Sequence, residues 1–276
     1  MKKLILLSLF ASSSIFAAVN VTPYGGYINY SSEGSKDYAY FGGIYGSYFK
    51  SPYKLELDLG HLELTYKNEL IPKYKQTDLT VLGNYFIGYN LALKAGIHNI
   101  FIDQENNPNN YDNVLFAGIL YYKTYKYNFG LDVYRSDYDG FNVVQISPKY
   151  GFNFGNYKSA IGSFYAEAQL NFINISKPDI TNKSDYVNLD LKLQNFNGPL
   201  TTELFASIGK NAYKVAKGGF AVYNLKEEYK YSYGASLGYG FKNGASLKTT
   251  YTRSKFREEG QDITSDNYML GFSKNW

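Results

Sequence analysis

The sequence is poor in several features that commonly identify a protein class. It has no cysteine and only 7 prolines in 276 residues. The lack of cysteine excludes disulfide scaffolds, thiolate zinc sites, catalytic thiols and a lipoprotein anchor. A mean hydropathy of −0.35 excludes a bundle of transmembrane helices. The net charge of +4, from 28 basic and 24 acidic residues, gives no sign of a nucleic-acid partner.

The chain is rich in aromatic residues, with 31 Tyr and 19 Phe, and it has 26 Gly. Beyond residue 18 the apolar residues recur with a period of two. Alternation is clear in Leu55–Leu59, in Val187–Leu193 and across Tyr229–Phe241. Because successive side chains of a strand point to opposite faces, each segment has one apolar face and one polar or small face. This pattern predicts an all-β protein.

The first 17 residues form a separate unit. Lys2 and Lys3 precede a short apolar run that ends in small residues at Ala17 and Ala18. This is the pattern of a secretory signal peptide, and the run is too short to span a bilayer. We therefore predict a signal peptide over residues 1–17, Sec-dependent export, and one domain over residues 18–276.

Strand length and turn spacing predict a membrane barrel. Many alternating segments reach ten residues, which is the length of a membrane-spanning strand and too long for a soluble sandwich or propeller. Six short turns alternate with seven longer polar loops, and short turns at one end with longer loops at the other are typical of outer-membrane barrels. We predict a closed antiparallel transmembrane β-barrel of fourteen strands, with twelve as the alternative. A change of apolar phase at Gly60-His61 predicts a β-bulge there.

The carboxyl terminus carries the most specific motif. Tyr268, Leu270, Phe272 and the terminal Trp276 share one face of a final strand. This segment resembles the last strand of bacterial outer-membrane proteins, whose final aromatic residue is recognised by the barrel-assembly machinery. In size and hairpin plan the chain is similar to small monomeric porins of fourteen strands, without an amino-terminal plug. The resemblance implies that the four residues form an assembly signal and that the protein lies in the outer membrane of a Gram-negative-type bacterium.

If the apolar face of each strand meets lipid, the other face lines the lumen. The acidic residues in that set outnumber the basic ones, which suggests a water-filled pore with a weak cation preference. The predicted pore-lining residues are Glu56, Asp58, Glu63, Asp78, Lys94, His98, Asp132, Lys149, Glu167, Asp190, Lys192, Glu203, Lys230 and Lys248.

The longest loop, residues 210–228, is a candidate gate. It carries three lysines and a flexible glycine pair, and we expect it to fold over the mouth of the barrel. Its second half, Phe220–Leu225, could instead extend the next strand above the membrane. A solvated surface loop is the alternative. The predicted gating residues are Lys210, Lys214, Lys217, Gly218 and Gly219.

Nothing in the sequence indicates an enzyme, a metal site or a cofactor. His61 and His98 are the only histidines, and neither lies in a hydrolase motif. The predicted function is passive diffusion of small hydrophilic solutes or ions through an outer-membrane channel. The alternative is a non-conducting barrel with a structural or adhesive role through its outer loops. The expected partners are outer-membrane lipids and lipopolysaccharide, the assembly machinery and small solutes, without nucleic acid.

Overall fold

The protein is a closed antiparallel barrel of fourteen strands, as the sequence predicts. The computed structural model describes residues 18–276 except 32, 105, 106, 157, 179, 180 and 182. The predicted signal peptide, residues 1–17, lies outside this range. Among the described residues, no helix is both long enough and apolar enough to cross a membrane.

The strands follow one another around the barrel in chain order, and a short hairpin of two strands, β12 and β13, interrupts that order between β11 and β14. The bounds are β1 Ala18–Tyr30, β2 Lys36–Lys50, β3 Tyr53–Tyr66, β4 Tyr74–Ile87, β5 Leu91–Gln104, β6 Asn107–Lys123, β7 Tyr127–Tyr138, β8 Phe141–Gly155, β9 Ser163–Ile175, β10 Asp185–Asn197, β11 Leu200–Asn211, β12 Val215–Ala216, β13 Ala221–Val222, β14 Glu228–Gly240, β15 Ala245–Glu258 and β16 Gln261–Asn275.

Pairing of the first and last strands closes the barrel. Tyr24 lies opposite Gly271 and Tyr27 opposite Tyr268 in this antiparallel pair. The Val19 amide donates to the Trp276 carbonyl, and the Trp276 amide donates back to Val19. Closure leaves no free sheet edge, which a barrel needs in order to satisfy its backbone within a membrane. We call the end that holds Ala18 and Trp276 the terminal end and the opposite end the loop end.

The outward face explains the aromatic-rich composition. Its middle band is aliphatic, with Leu59, Leu204 and Leu270 each more than half exposed. Aromatic rings flank this band, for example the contacting Tyr53 and Tyr85 near the terminal end. Two aromatic girdles around an apolar band are the expected surface of a membrane barrel. The predicted assembly residues Tyr268, Leu270, Phe272 and Trp276 all lie on this exposed face.

The connections at the loop end differ from the prediction. Three of the expected long loops, Asp103–Asn110, Ser136–Gly140 and Arg257–Thr264, are mostly strand, because the hairpins continue beyond the apolar band. These stretches consist mostly of polar residues, so the sequence alternation that indicates a strand disappears while the pairing persists. At the terminal end, the connection between β8 and β9 is longer than the short turn that we expected.

The predicted bulge at Gly60-His61 is wrong. Both residues pair in unbroken register, with Gly43 and Gly42 on β2. The apolar residues move from the outer face of the strand to its inner face. Leu59 faces outward, whereas Leu64 is buried inside the barrel near the loop end. The inner face becomes apolar there without any slip of the strand.

A real irregularity lies in β14, where the register shifts between Tyr229 and Tyr231. Tyr231 faces outward, but Tyr229 turns inward and packs at a tilt against the ring of Phe256, with 5.2 Å between the ring centroids. Alternation across Tyr229–Phe241 put Tyr229 on the same face as Tyr231, and the structure separates the two. The bulge reverses the side-chain direction of the residues at the loop end of this strand.

Candidate functional site in the barrel lumen

The segment between β11 and β14 folds into the lumen. We call residues 212–227 the inward loop. Its core is the short hairpin in which Val215 pairs with Val222 and Ala216 with Ala221. Phe220–Leu225 is thus part of a fold inside the barrel, and the prediction that it extends the next strand above the membrane is wrong. The predicted gating segment lies within the lumen and does not lie across its mouth.

Apolar contacts hold the inward loop against the barrel wall. Ala212 and Tyr213 pack against residues of β7 to β10 such as Ile173 and Ile175. Val215 packs into a second cluster, together with Phe220 and Val222 and the wall residues Leu82, Val114, Phe116 and Tyr134. Leu225 joins a third cluster around Leu64 and Tyr74. Burial of one such side chain stabilises a fold by about 1.5–3 kcal/mol, so these contacts make the inward loop an integral part of the interior.

Gln145 on β8 binds the backbone of the inward loop. Its Oε1 accepts from the Val215 amide, and its Nε2 donates to the Val215 carbonyl, each at 2.8 Å. One buried amide side chain therefore satisfies both polar backbone groups of a residue that has moved away from water. The paired bonds also fix the height of the hairpin along the barrel axis.

Lys214 is the polar anchor at the start of the inward loop. Its Nζ donates to Asp190 Oδ1 at 2.5 Å, to Asn188 Oδ1 at 2.7 Å and to Ser207 Oγ at 3.1 Å. Its side chain is only 4% exposed. Burial lowers the pKa of Lys214, and the carboxylate of Asp190 opposes that shift. The ammonium group exchanges water for three fixed acceptors, which offset much of the cost of burying it.

A second ion pair anchors the other end of the inward loop. Glu227 binds Lys36 of β2, and Lys36 also lies 2.8 Å from Glu258 of β15. The Lys36 side chain is 2% exposed. One buried cation therefore joins the loop to two distant parts of the wall.

The turn of the inward loop contacts the wall at β5 and β6. Lys217, Gly218 and Gly219 all have positive φ, at 51°, 72° and 111°. The carbonyl oxygen of Gly219 lies 3.1 Å from His98 Nδ1. A Cβ at Gly219 would lie 2.4 Å from the ring of Phe116. Only glycine allows the backbone to come this close to the wall in this conformation.

Lys217 points into the open space below the inward loop, where its side chain is exposed although the barrel surrounds it. Enclosure by the barrel lowers the pKa of Lys217, and Lys248 adds to that effect while Glu203 and Asp58 oppose it. Lys210, the remaining predicted gating lysine, lies outside the inward loop and pairs with Glu228 at 2.6 Å.

Below the inward loop, paired charges line the wall. Asp132 lies 3.0 Å from both Lys94 and Lys149. Glu167 lies 2.8 Å from Lys192, and Lys248 lies 3.6 Å from Glu203. Of the predicted pore-lining residues, the structure places twelve on the inner face, namely Glu56, Asp58, Asp78, Lys94, His98, Asp132, Lys149, Glu167, Asp190, Lys192, Glu203 and Lys248.

Two predicted pore-lining residues face outward. Glu63 lies in the outward set of β3 because the strand has no bulge, and it pairs with Lys73 on the surface. Lys230 lies at the bulge of β14 and pairs with Asp262, whose other partners, Lys255 and Arg257, lie on the outer face of β15. Glu63 was placed inside by a predicted bulge that β3 does not have, and Lys230 by a parity that the bulge in β14 breaks.

Sequence reasoning missed the wall residues that receive the inward loop, including Lys36, Gln145 and Asn188. It also missed Lys54, which pairs with Glu56 at 2.9 Å. Alternation could have placed Gln145 and Asn188 on the inner face, but no local signal indicates that a distant segment would bind them. Within the described ranges, no group of His, Asp and Glu side chains is arranged to hold a metal ion.

Solved structures share this fold. A monoaromatic hydrocarbon channel, CymD, superposes with a TM-score of 0.61 at 8% identity over 95% of this chain and 89% of that one. The toluene transporter TbuX of Ralstonia pickettii gives 0.59 at 9% identity, over 95% and 90% of the two chains. The toluene transporter TodX of Pseudomonas putida gives 0.54 at 8% identity, over 96% and 91%.

The barrel has the fold of these channels and transporters. Identity this low shows the shared fold and nothing about the solute. No protein-family model matches the chain, and no curated protein matches it by sequence.

Proposed function

We propose that this protein is an outer-membrane channel for small molecules in which the inward loop closes the lumen. The observation that carries the proposal is the placement of residues 212–227, which pack against the wall in three apolar clusters and occupy the interior near the loop end. Below them the interior is polar and accessible. Passage of a solute then requires the inward loop to leave these contacts.

Small hydrophilic solutes suit this interior better than hydrocarbons. The lower wall carries ion pairs whose lysines are partly exposed, at 32% for Lys192 and 48% for Lys248. Such groups keep water in the lumen, because removing ions from water costs several kcal/mol for each one. Among the residues that the structure describes, the apolar clusters inside the barrel lie where the inward loop contacts the wall.

The charge of the inward loop changes the expected ion selectivity. The cation preference predicted above counted the wall alone, whereas Lys214 and Lys217 bring two cations to Asp190, Asp58 and Glu203. We therefore expect little selectivity with the loop in place. Without the loop, the unpaired wall carboxylates should favour cations.

Solute uptake by proteoliposomes tests the proposal. A variant with residues 213–226 replaced by four Gly and Ser residues should admit arabinose and glycine much faster than the wild type does. Its matched control replaces the loop 67–72 with Gly and Ser residues at unchanged length, and it should behave as the wild type. Equal uptake by the wild type and the loop variant would argue against closure by the loop. If neither admits any solute, the non-conducting structural role becomes the better interpretation.

A further inference from the structure

The outer surface of β14 to β16 carries a concentrated set of cations. Lys230, Arg253, Lys255 and Arg257 all point away from the lumen near the loop end, and we call these four residues the basic ladder. Their side chains are 26%, 46%, 34% and 52% exposed. Arg253, Lys255 and Arg257 alternate along one strand, so that they stand above one another on the same face.

The basic ladder starts directly above an aromatic girdle. Tyr251 pairs with Tyr268, Tyr268 with Tyr27, and Tyr27 with Tyr40, which gives one row of tyrosines across four strands. Arg253 lies next along β15 after Tyr251 on the outward face, one step closer to the loop end. Because tyrosine rings favour the membrane–water interface, this row places the four cations at the level of the lipid headgroups.

This surface has two carboxylates, Asp262 and Asp266, for the four cations of the basic ladder. Asp262 lies 2.6 Å from Lys230, 3.4 Å from Lys255 and 3.5 Å from Arg257. Asp266 lies 3.8 Å from Arg253, and it also accepts from the Tyr251 hydroxyl at 2.6 Å. By contrast, three other outward cations at this end each have one carboxylate, in the pairs Lys73–Glu63, Arg135–Asp137 and Lys210–Glu228.

Nearby acids do not remove this imbalance. Glu258 faces the interior on Lys36. Glu228 pairs with Lys210. Glu33 and Glu259 lie on the turns that follow β1 and β15. A hydrogen bond from Ser31 and the charges of Lys67 and Lys255 help to lower the pKa of Glu33. The outward face itself therefore keeps more positive than negative charge.

We propose that the basic ladder binds the phosphate groups of an anionic lipid in the outer leaflet. A phosphate presents several acceptor oxygens to guanidinium and ammonium donors. The acyl chains of the same lipid would lie along the apolar band below the tyrosine row. This proposal requires only that the barrel lies in the outer membrane, and it holds whether or not the lumen conducts.

The test measures binding of fluorescent lipid A to purified protein in detergent. The wild type should bind bisphosphorylated lipid A more tightly than dephosphorylated lipid A. Replacement of all four ladder cations with Gln should remove that difference, since each surface cation contributes about fivefold to the affinity for anionic lipid. The matched control replaces Lys73, Lys75, Arg135 and Lys210 with Gln, and it should keep the wild-type preference.

Three outcomes would overturn the proposal: an unchanged preference in the ladder variant, an equal loss in the control, or displacement of lipid A by millimolar inorganic phosphate. Heat-dependent gel migration shows whether the fourfold variant has folded. If it has not, the single variants Arg253→Gln and Lys255→Gln replace it, each with an expected loss of about fivefold. Conductance should be the same in the ladder variant and the wild type, which separates this test from the test of the channel.

Discussion

The two halves of the lumen bury their lysines to different extents. Near the loop end, Lys36 and Lys214 are 2% and 4% exposed and lie among several fixed partners. Nearer the terminal end, Lys192 and Lys248 are 32% and 48% exposed in simple pairs. The strands are the same in both halves. The difference comes from the inward loop, which packs against the wall near the loop end and buries the lysines there.

This contrast predicts that equivalent substitutions have unequal effects. Lys214→Met leaves Asp190, Asn188 and Ser207 without the buried cation that they share, and it should weaken docking of the inward loop by about 3 kcal/mol. Lys192→Met removes a partly exposed pair and should cost less than about 1 kcal/mol. Hydrogen exchange of the Val215 amide, which donates to Gln145, reports docking directly. Equal exchange rates in the two variants would mean that the upper half is as wet as the lower half.

The turn of the inward loop gives the next largest effect. Gly219→Ala should weaken docking by about 2 kcal/mol, because its Cβ would meet the Phe116 ring at 2.4 Å. Gly198→Ala is the matched control, since that residue has a positive φ of 59° with nothing within 4 Å of an added Cβ. Because the chain lacks cysteine, thiol labelling of a Val215→Cys background measures opening. Labelling that is equally fast in both variants would exclude close packing at the turn.

A rise in pH should favour the docked loop. Burial lowers the pKa of Lys214 in the docked loop from its ordinary value of 10.5. At a pH between the lowered pKa and 10.5, the undocked loop therefore binds more protons than the docked loop. Docking therefore becomes more favourable as pH rises through that window. Val215 amide exchange, corrected for its intrinsic dependence on pH, should show increasing protection. The Lys214→Met variant should lose most of this trend, and an opposite trend in the wild type would contradict the lowered pKa.

The smallest effect concerns selectivity. Lys217→Gln removes the exposed cation at the turn and leaves Asp58 and Glu203 with less positive charge nearby. The reversal potential across a salt gradient should shift modestly toward cation preference. The control Lys210→Gln changes a residue outside the lumen and should leave the reversal potential unchanged. A shift toward anions would place Lys217 away from the conduction path.

The sequence was sufficient to predict the wall of this barrel. Period-two alternation and strand length predict fourteen strands and an outward apolar band, and both are confirmed. The same rule misplaced Glu63, because the apolar residues beyond Gly60 face an internal partner instead of lipid. It misplaced Lys230 because a bulge in β14 reverses the side-chain direction.

The inward loop could be located in the sequence but its path could not be predicted. Its lysines and glycines identified residues 210–228 as a candidate gate. Its binding partners lie on β2, β5, β8 and β10, far apart in the chain. Only the closed barrel brings these strands around one interior, and residues such as Gln145 carry no local sign of their role. Alternation gives the face of a residue, whereas the contacts across the lumen depend on tertiary structure.

Single-channel conductance in planar bilayers tests closure by the inward loop most directly. The wild type should show no steps or brief, small ones, because the inward loop fills the lumen near the loop end. Replacement of residues 213–226 by four Gly and Ser residues should give long-lived, much larger steps with a cation preference. The same large, steady conductance in both proteins would contradict closure by the loop.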